Sequence, residues 1–389
     1  MSDLSIKEIL KSINKKFGDE IIKIGVDPQK EVKTLSLGSP GLDFCLYNSF
    51  PTNKIVEFSG GEGAGKSTAS FLTAASFQKQ ELKDNPNNPR SILFVDLEHS
   101  LDPTWTLKAG YDTQNHPVKT IYFAPEDQSA EDILDIILDF IKTGEIGLVI
   151  LDSLNMLVPQ QVYDKSLETK EMGTTAKVLG DFVRRVKGLL VKYNCVFIGI
   201  NQLRENIGGY GNPLQTSGGR GWKHGCDVRL MFKKAKFYDS DMNELSTNAE
   251  SPAAYEMQCA VLKTKVCKWD RKLGRTIISY DRGVDILQDT IDVAIMLGLI
   301  DNSTQGSFKL IDPETGEILT DTEGNELKIR GKKNLRPYFE SHIDLWRKLY
   351  DSIYEKISKK EDPNIISFEQ MLNINVQETF DIDLKKEEE

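Results

Sequence analysis

Residues 54–68 read Lys-Ile-Val-Glu-Phe-Ser-Gly-Gly-Glu-Gly-Ala-Gly-Lys-Ser-Thr, and no other stretch constrains the fold as strongly. A short β-branched run enters the pattern Gly-x-x-x-x-Gly-Lys-Ser at Gly60, Gly65, Lys66 and Ser67, and an apolar helical stretch from Ala69 to Phe77 follows. Strand, phosphate loop and helix are therefore expected in direct succession. Gly60, Gly61, Gly63 and Gly65, spaced by Glu62 and Ala64, let the backbone turn tightly enough for several N–H groups to point at phosphate oxygens. The positive end of the following helix, entered through Lys66, Ser67 and Thr68, faces the same spot. Lys66 can reach the β- and γ-phosphates and the Ser67 hydroxyl can ligate Mg²⁺, so a nucleoside triphosphate site is expected.

Such a site needs carboxylates at the ends of neighbouring strands. Ser91–Glu98 is an apolar run that ends in two of them, and the carboxyl ends of buried parallel strands are where doubly wound sheets place ligands. Glu98 is the candidate to orient the water that attacks the γ-phosphate; Asp96, further inside the strand, is the weaker one. A carboxylate that merely ends a strand is the alternative. Ile146–Ser153 is a second apolar strand, and its terminal Asp152 suits the Mg²⁺ shell. Between the two lie a strand over Val118–Ala124 and a helix opened by a Ser129/Asp132 capping box. Ile133, Ile136, Ile137, Phe140 and Ile141 keep that helix facing a core. The alternation predicts an α/β, doubly wound core.

Downstream, a polar loop over residues 160–173 precedes a helix over 174–193 carrying Lys177, Arg184, Arg185, Lys187 and Lys192. A solvated face and a nucleic-acid contact both fit that charge pattern. The strand Cys195–Ile200 ends in Asn201-Gln202. Leu203–Gly221 then holds six glycines with Arg204, Asn206, Gln215, Thr216, Ser217 and Arg220. A long glycine-rich loop at the ligand end of a strand beside the nucleotide site reads as functional, with backbone close approach and arginine charge directed at phosphates. Strands are expected over Asp227–Phe232, Tyr255–Val266 and Arg275–Tyr280. The second places Lys263 and Lys265 on one face, where they repel unless a polyanion or solvent lies opposite. After Asp285 the pattern turns to helices over 286–299 and 341–357. A hairpin near 312–316, a basic cluster (Lys328, Arg330, Lys332, Lys333, Arg336) and an acidic end complete the chain.

A helix over residues 4–17 either folds back on its own core or docks on a neighbouring subunit. The formal net charge of −10 over 389 residues argues against nucleic-acid binding by bulk charge while leaving room for a local basic groove. Five scattered cysteines fit reduced thiols in the cytoplasm. The charged N-terminal segment and the absence of any long apolar run predict neither a signal peptide nor a membrane partner.

Ile13–Gly18, Leu35–Asp43, Gly60–Thr68, Phe94–Pro103, Leu151–Leu154, Ile200–Arg204, Gly211–Pro213, Gly218-Gly219 and Lys263–Lys265 together resemble segments of the RecA family of bacterial and phage recombinases, in the same order at similar spacing. The resemblance runs from about residue 7 to about residue 300. It implies a RecA-type P-loop ATPase core over 35–284, preceded by a polymerisation arm over 1–34 and followed by a small α+β domain with an acidic tail over 285–389. The implied activity is ATP- and DNA-dependent homologous pairing and strand exchange in recombination and repair, by a helical filament of this chain on single-stranded DNA that captures double-stranded DNA. ATP and Mg²⁺ are the implied cofactors; single-strand-binding and mediator proteins are further implied partners.

Residue by residue, the resemblance makes Glu98 the activator of the water, Asp152 a Mg²⁺ support and Gln202 the γ-phosphate sensor. It places Asp102, Trp105 and Tyr280 at adenine, and Lys263 and Lys265 at a neighbour's ATP. Met172, Gly173, Lys177, Arg184, Arg204, Asn206, Gly208, Gln215, Thr216, Gly218, Gly219 and Arg220 fall to DNA, with Ile207 as an apolar wedge between bases. His224 stands where bacterial members carry an aromatic, and Leu214 where they carry a Glu. A hexameric helicase-type ATPase and a non-catalytic recombination mediator are the rival readings.

Overall fold

Ile55–Gly60 (β1) is buried at every position, which only a strand covered on both faces and flanked on both sides achieves. The computed structural model describes residues 5–17, 33–47, 49–163, 173–205, 214–246, 248–312, 315–320, 323–357, 375 and 380. They belong to two compact units, residues 1–33 and residues 34–389.

In the first unit, Ile6–Phe17 (α1) is an amphipathic helix with Glu8 in its first turn and Lys15 and Lys16 in its last, as the helix dipole favours. Ile6 is 73% and Ile9 43% exposed, so the start of its apolar stripe is open to solvent, while Leu10 and Ile13 are half-buried.

The second unit is built on an 11-stranded sheet. Its helices and strands, in chain order after β1, are Lys66–Asp84 (α2), Ser91–Asp96 (β2), Pro103–Lys108 (α3), Thr120–Phe123 (β3), Ala130–Lys142 (α4), Ile146–Asp152 (β4) and Thr174–Tyr193 (α5). Val196–Glu205 (β5), Leu214–Thr216 (β6), Gly219–Gly225 (α6), Val228–Tyr238 (β7), Ala254–Thr264 (β8), Leu273–Ser279 (β9) and Gly283–Val284 (β10) follow. The spatial order β10-β9-β8-β7-β1-β5-β4-β2-β3 is parallel from β7 to β3 and antiparallel from β7 to β10. The doubly wound expectation thus describes the parallel portion, and an antiparallel extension continues it. Phe58, Phe94, Ile198 and Leu230 pack with α2 on one face, while Leu93, Val149 and Phe197 pack with α4 and α5 on the other.

Register places the functional strand ends side by side. Gly60 pairs with Gln202, and Asp96 pairs with Asp152. Helix α4 starts on the expected capping box, with both the Ser129 and the Asp132 side chains engaged.

The fold departs from the expected boundaries in several places. Strand β7 runs on to Tyr238 instead of stopping at Phe232, because Ala254–Cys259 pairs along its far half; Glu244–Leu245, between the two strands, pairs back on β7. The helix expected over 341–357 is Ile343–Ile357, and a further helix, Leu335–Ser341, precedes it across a break at His342 (φ −128°, ψ 57°). The helix expected over 286–299 ends at Met296 and is succeeded by the antiparallel strands Ile300–Thr304, Ser307–Leu310 and Lys328–Arg330. Ile291, Ala294, Leu335, Phe339, Leu349 and Ile353 share a core with Phe44, Met231 and Leu273 of the sheet side.

Candidate active site and nucleic-acid interface

The phosphate loop forms because two of its glycines do what no other residue can. Gly65 caps α2 at φ 93°, and a Cβ there would lie 2.6 Å from Met257 Cε. A Cβ on Gly60 would lie 2.6 Å from the Phe232 carbonyl oxygen of β7. Gly61, by contrast, has open space around it.

Lys66 Nζ donates to the Gly61 carbonyl at 2.8 Å, folding back over the loop. Burial lowers its pKa, and the carboxylates of Asp152, Glu98 and Glu62 pull it back up. Ser67 Oγ donates to Asp152 Oδ2 at 2.7 Å. Burial pushes the Asp152 carboxyl up to about 6, with the Ser67 hydrogen bond opposing the rise and Glu98 and Asp96 adding to it.

Glu98 Oε1 accepts from Ser153 Oγ at 2.5 Å and from Gln202 Nε2 at 2.8 Å. The strand register that sets Gln202 beside Gly60 therefore also brings it to Glu98. Asp96 is engaged elsewhere, accepting from the Ser100 and Leu101 backbone N–H groups and from the Tyr122 hydroxyl, and so shapes the turn after β2.

A cleft of about 360 Å³ is lined by residues 62–68, Glu98, Asp152 and Gln202 together with Trp105, Lys234, Tyr255 and Tyr280. Trp105 Nε1 donates to Thr68 Oγ1 at 3.1 Å, and the Trp105, Tyr280 and Tyr255 rings follow one another at centroid separations of 6.3 and 5.3 Å. Those flat faces suit a stacked base. Asp102 is not in this lining; its carboxylate accepts from Thr104 N at 2.8 Å as the N-cap of α3, which holds Trp105 in place.

Lys263 and Lys265 lie away from the cleft. Lys263 Nζ donates to the Lys223 and His224 carbonyls at 2.6 and 3.3 Å, and Lys265 Nζ to His224 at 3.1 Å, so both cations converge on the C-terminal end of α6. Their shared face is as expected, and what lies opposite within the chain is a row of helix carbonyls.

The expected DNA contacts cluster where α5 and α6 begin. Gly173 (φ 89°) caps α5 and Gly218 (φ 96°) caps α6. A Cβ on Gly219 would lie 2.7 Å from Ala176 Cβ, and one on Gly221 would lie 3.2 Å from Gly180 Cα, so small residues let the two helices approach. Lys177 and Arg220 are exposed beside these starts; Arg184 pairs with Asp181 and Arg185 with Asp135, so part of the basic face of α5 is internally answered. Met172, Asn206, Ile207 and Gly208 lie outside the described residues, as do the side chains of Arg204 and Gln215.

A buried network ties the root of the glycine-rich loop to the sheet. Asn201 exchanges two hydrogen bonds with the Ser217 backbone, at 3.0 and 3.2 Å, and donates to Glu57 Oε1 at 2.7 Å. Trp222 Nε1 reaches the same oxygen at 2.8 Å, while Arg229 binds both Glu57 and the Thr216 hydroxyl. Sequence reasoning missed Glu57 and Arg229 as well as Lys234, Tyr255 and Ser153. A charged residue at the centre of an otherwise apolar strand was the available signal for the first two.

The C-terminal basic cluster is less available than its sequence suggests. Lys328 pairs with Glu326, Lys332 with Asp292, and Arg336 with Asp285 and Glu340. No disulfide joins the five cysteines, and among the described residues no helix is long and apolar enough to cross a membrane.

The family model described as the RecA N-terminal domain matches residues 4–285. Curated relatives named Protein RecA extend the match. The one from Phytoplasma mali (strain AT) is 29% identical over 91% of this chain and 94% of its own length. Those from Acholeplasma laidlawii (strain PG-8A) and Clostridioides difficile (strain 630) are 29% and 28% identical, covering 87% and 90% of this chain and 92% and 90% of theirs.

Proposed function

The chain belongs to the RecA family, and from that premise we infer how it serves recombination and repair. It binds ATP·Mg²⁺, assembles into a helical filament on single-stranded DNA, pairs that strand with a homologous duplex, and hydrolyses ATP to reset. The observation that carries this reading is the joint placement of Lys66, Ser67, Asp152, Glu98 and Gln202 around one cleft, with Gln202 on the strand that leads into the glycine-rich loop.

The donor set suits Mg²⁺. Ser67 and Asp152 present two hard oxygens to one point, and among the described residues no cluster of three or more His, Cys, Asp or Glu forms an all-protein cage, in keeping with an ion held partly by phosphate oxygens. Bound there, Mg²⁺ would neutralise phosphate charge. Lys66 supplies a second cation to the β- and γ-phosphates, and the loop N–H groups hold them in line. Glu98 takes the proton of the attacking water, and Ser153 orients its carboxylate. Trp105 and Tyr280 sandwich the base. Lys263 and Lys265 reach the γ-phosphate of an adjacent protomer, a role supported by their distance from their own cleft and by the family resemblance.

DNA is gripped where α5 and α6 start, through Gly173, Lys177, Gly218, Gly219 and Arg220, together with the segments that precede those helices. The exposed start of the apolar stripe of α1 supports docking of residues 1–34 on a neighbouring copy. These functions need no membrane and fit a cytoplasmic protein. The test is ATP hydrolysis with and without single-stranded DNA. Strong, cooperative stimulation supports the reading, and a rate indifferent to DNA and to protein concentration contradicts it.

A further inference from the structure

The nucleotide cleft contains two lysines, and only one of them is answered by the protein. Lys66 has the Gly61 carbonyl and three nearby carboxylates. Lys234 extends from β7 into the same cleft and is half-buried, its Nζ 4.4 Å from the centroid of the Tyr255 ring and 5.7 Å from that of Tyr280. Among the described residues no carboxylate faces it, and burial alone holds its pKa below the usual lysine range. Ring faces compensate a desolvated ammonium only in part. A cation kept in this condition at the wall of an open cleft is completed by an anion from the ligand.

The surrounding strands say which part of the ligand. Lys234 pairs directly with Met257 in the β7–β8 ladder, and Met257 Cε is the atom that closes against Gly65. The Tyr255 hydroxyl lies 3.8 Å from where a Gly65 Cβ would sit and interacts with Thr68. The Tyr255 ring thus spans from Lys234 to the Gly65–Thr68 corner of the loop, where backbone N–H groups face the α- and β-phosphates. In the nucleotide reading given above, the base takes the Trp105 and Tyr280 faces.

We propose that Lys234 is a phosphate ligand of the bound nucleotide, its ammonium donating in cis to the α-phosphate of a nucleoside di- or triphosphate seated on the phosphate loop, with the Tyr255 and Tyr280 rings fixing its direction. The proposal rests on the nucleotide reading given above and adds a residue and a contact to it. A charge-assisted hydrogen bond of this kind corresponds to roughly a tenfold or greater change in affinity.

The experiment titrates ADP into the full-length protein by calorimetry at two salt concentrations, for the wild type, K234M, K234R and K66A. The expected result is ADP affinity at least about tenfold weaker in K234M, with a shallower salt dependence because one ionic contact is gone, and near-wild-type affinity in K234R. Unchanged affinity in K234M overturns the proposal. Equal weakening in K234M and K234R, or weakening in K234M with unaltered salt dependence, also overturns it, since ring packing rather than charge would then be responsible. K66A separates the two levels: if K66A binds ADP as the wild type does, the nucleotide reading itself falls, whereas loss in K66A with no loss in K234M sinks only the role of Lys234.

Discussion

Gln202 Nε2 and Glu98 Oε1 are hydrogen-bonded to each other at 2.8 Å, so the side chain proposed to sense the γ-phosphate and the carboxylate proposed to activate the water occupy one another. A γ-phosphate presented to Gln202 competes with Glu98 for the same amide hydrogen. On this proposal, winning that donor frees the Glu98 oxygen for a water, and the signal has a route onward through the neighbouring Asn201, which is hydrogen-bonded to the Ser217 backbone at the root of the glycine-rich loop. Glu98→Gln is expected to lower the hydrolysis rate by on the order of 10²-fold or more with ADP affinity within a few-fold of wild type. Gln202→Ala is expected to keep ATP binding and lose stimulation by DNA. Steady-state hydrolysis alongside nucleotide titration checks both, and a Gln202→Ala protein still fully stimulated by DNA would contradict the sensor role.

If Asp152 supports Mg²⁺ as proposed, it should carry the pH dependence of Mg²⁺·nucleotide binding. Its carboxyl, pushed up to about 6 by burial, takes a proton as the pH falls through that value, and a protonated carboxyl is a poor Mg²⁺ ligand. Mg²⁺·ADP affinity is expected to drop between pH 7 and pH 5 more steeply in the wild type than in Asp152→Asn. Parallel pH profiles for the two proteins would refute the assignment.

The Lys263 ammonium is committed to its own α6 carbonyls, not to its own cleft, so its loss should spare nucleotide binding by a single protomer. Lys263→Ala is expected to bind ADP normally at low protein concentration while losing most DNA-dependent turnover. Normal turnover at saturating DNA would refute service to a neighbouring site.

Asp289 sits fully buried on the helix Ile286–Met296, where it accepts from Thr276 Oγ1 at 2.5 Å and from Ser39 Oγ, with Arg275 and Asp292 nearby. Burial raises its pKa to about 7, above the unfolded value of 3.8. The stability this group contributes is therefore complete below about pH 4 and is lost as the pH rises through about 7. Asp289→Asn should gain on the wild type by on the order of 2 kcal/mol between pH 5 and pH 8. Urea unfolding at the two pH values measures this, and a constant difference would contradict it.

Much of the parallel core was legible because its signals are local. Gly60 to Ser67 announces its turn by residue type, and the 3.6-residue spacing after Ser129 announces its helix. Asp152 was legible as a strand end, whereas the strand expected to stop at Gln202 runs on to Glu205 because Leu214–Thr216 pairs beside it. What escaped depends on pairing between segments far apart in sequence. Strand β7 passes Phe232 only because β8 lies beside it, and that extension is what carries Lys234 into the cleft. Asp102, expected at adenine, also caps α3 through one carboxylate oxygen, a local task that its position before Pro103 could have signalled. Lys332 and Arg336 read along the chain as members of one basic cluster, whereas in the fold Asp292 and Asp285, more than thirty residues earlier, face them. Charge read along a chain does not reveal its partner across the fold.

The proposed function is that of an ATPase whose active sites are switched on by assembly on DNA. Its most direct test is the steady-state ATP hydrolysis rate across a titration of protein, with and without single-stranded DNA. A rate that is low alone, rises strongly with DNA and increases cooperatively with protein concentration is the predicted result. A DNA-independent rate strictly proportional to protein concentration, or no hydrolysis in either condition, would contradict it.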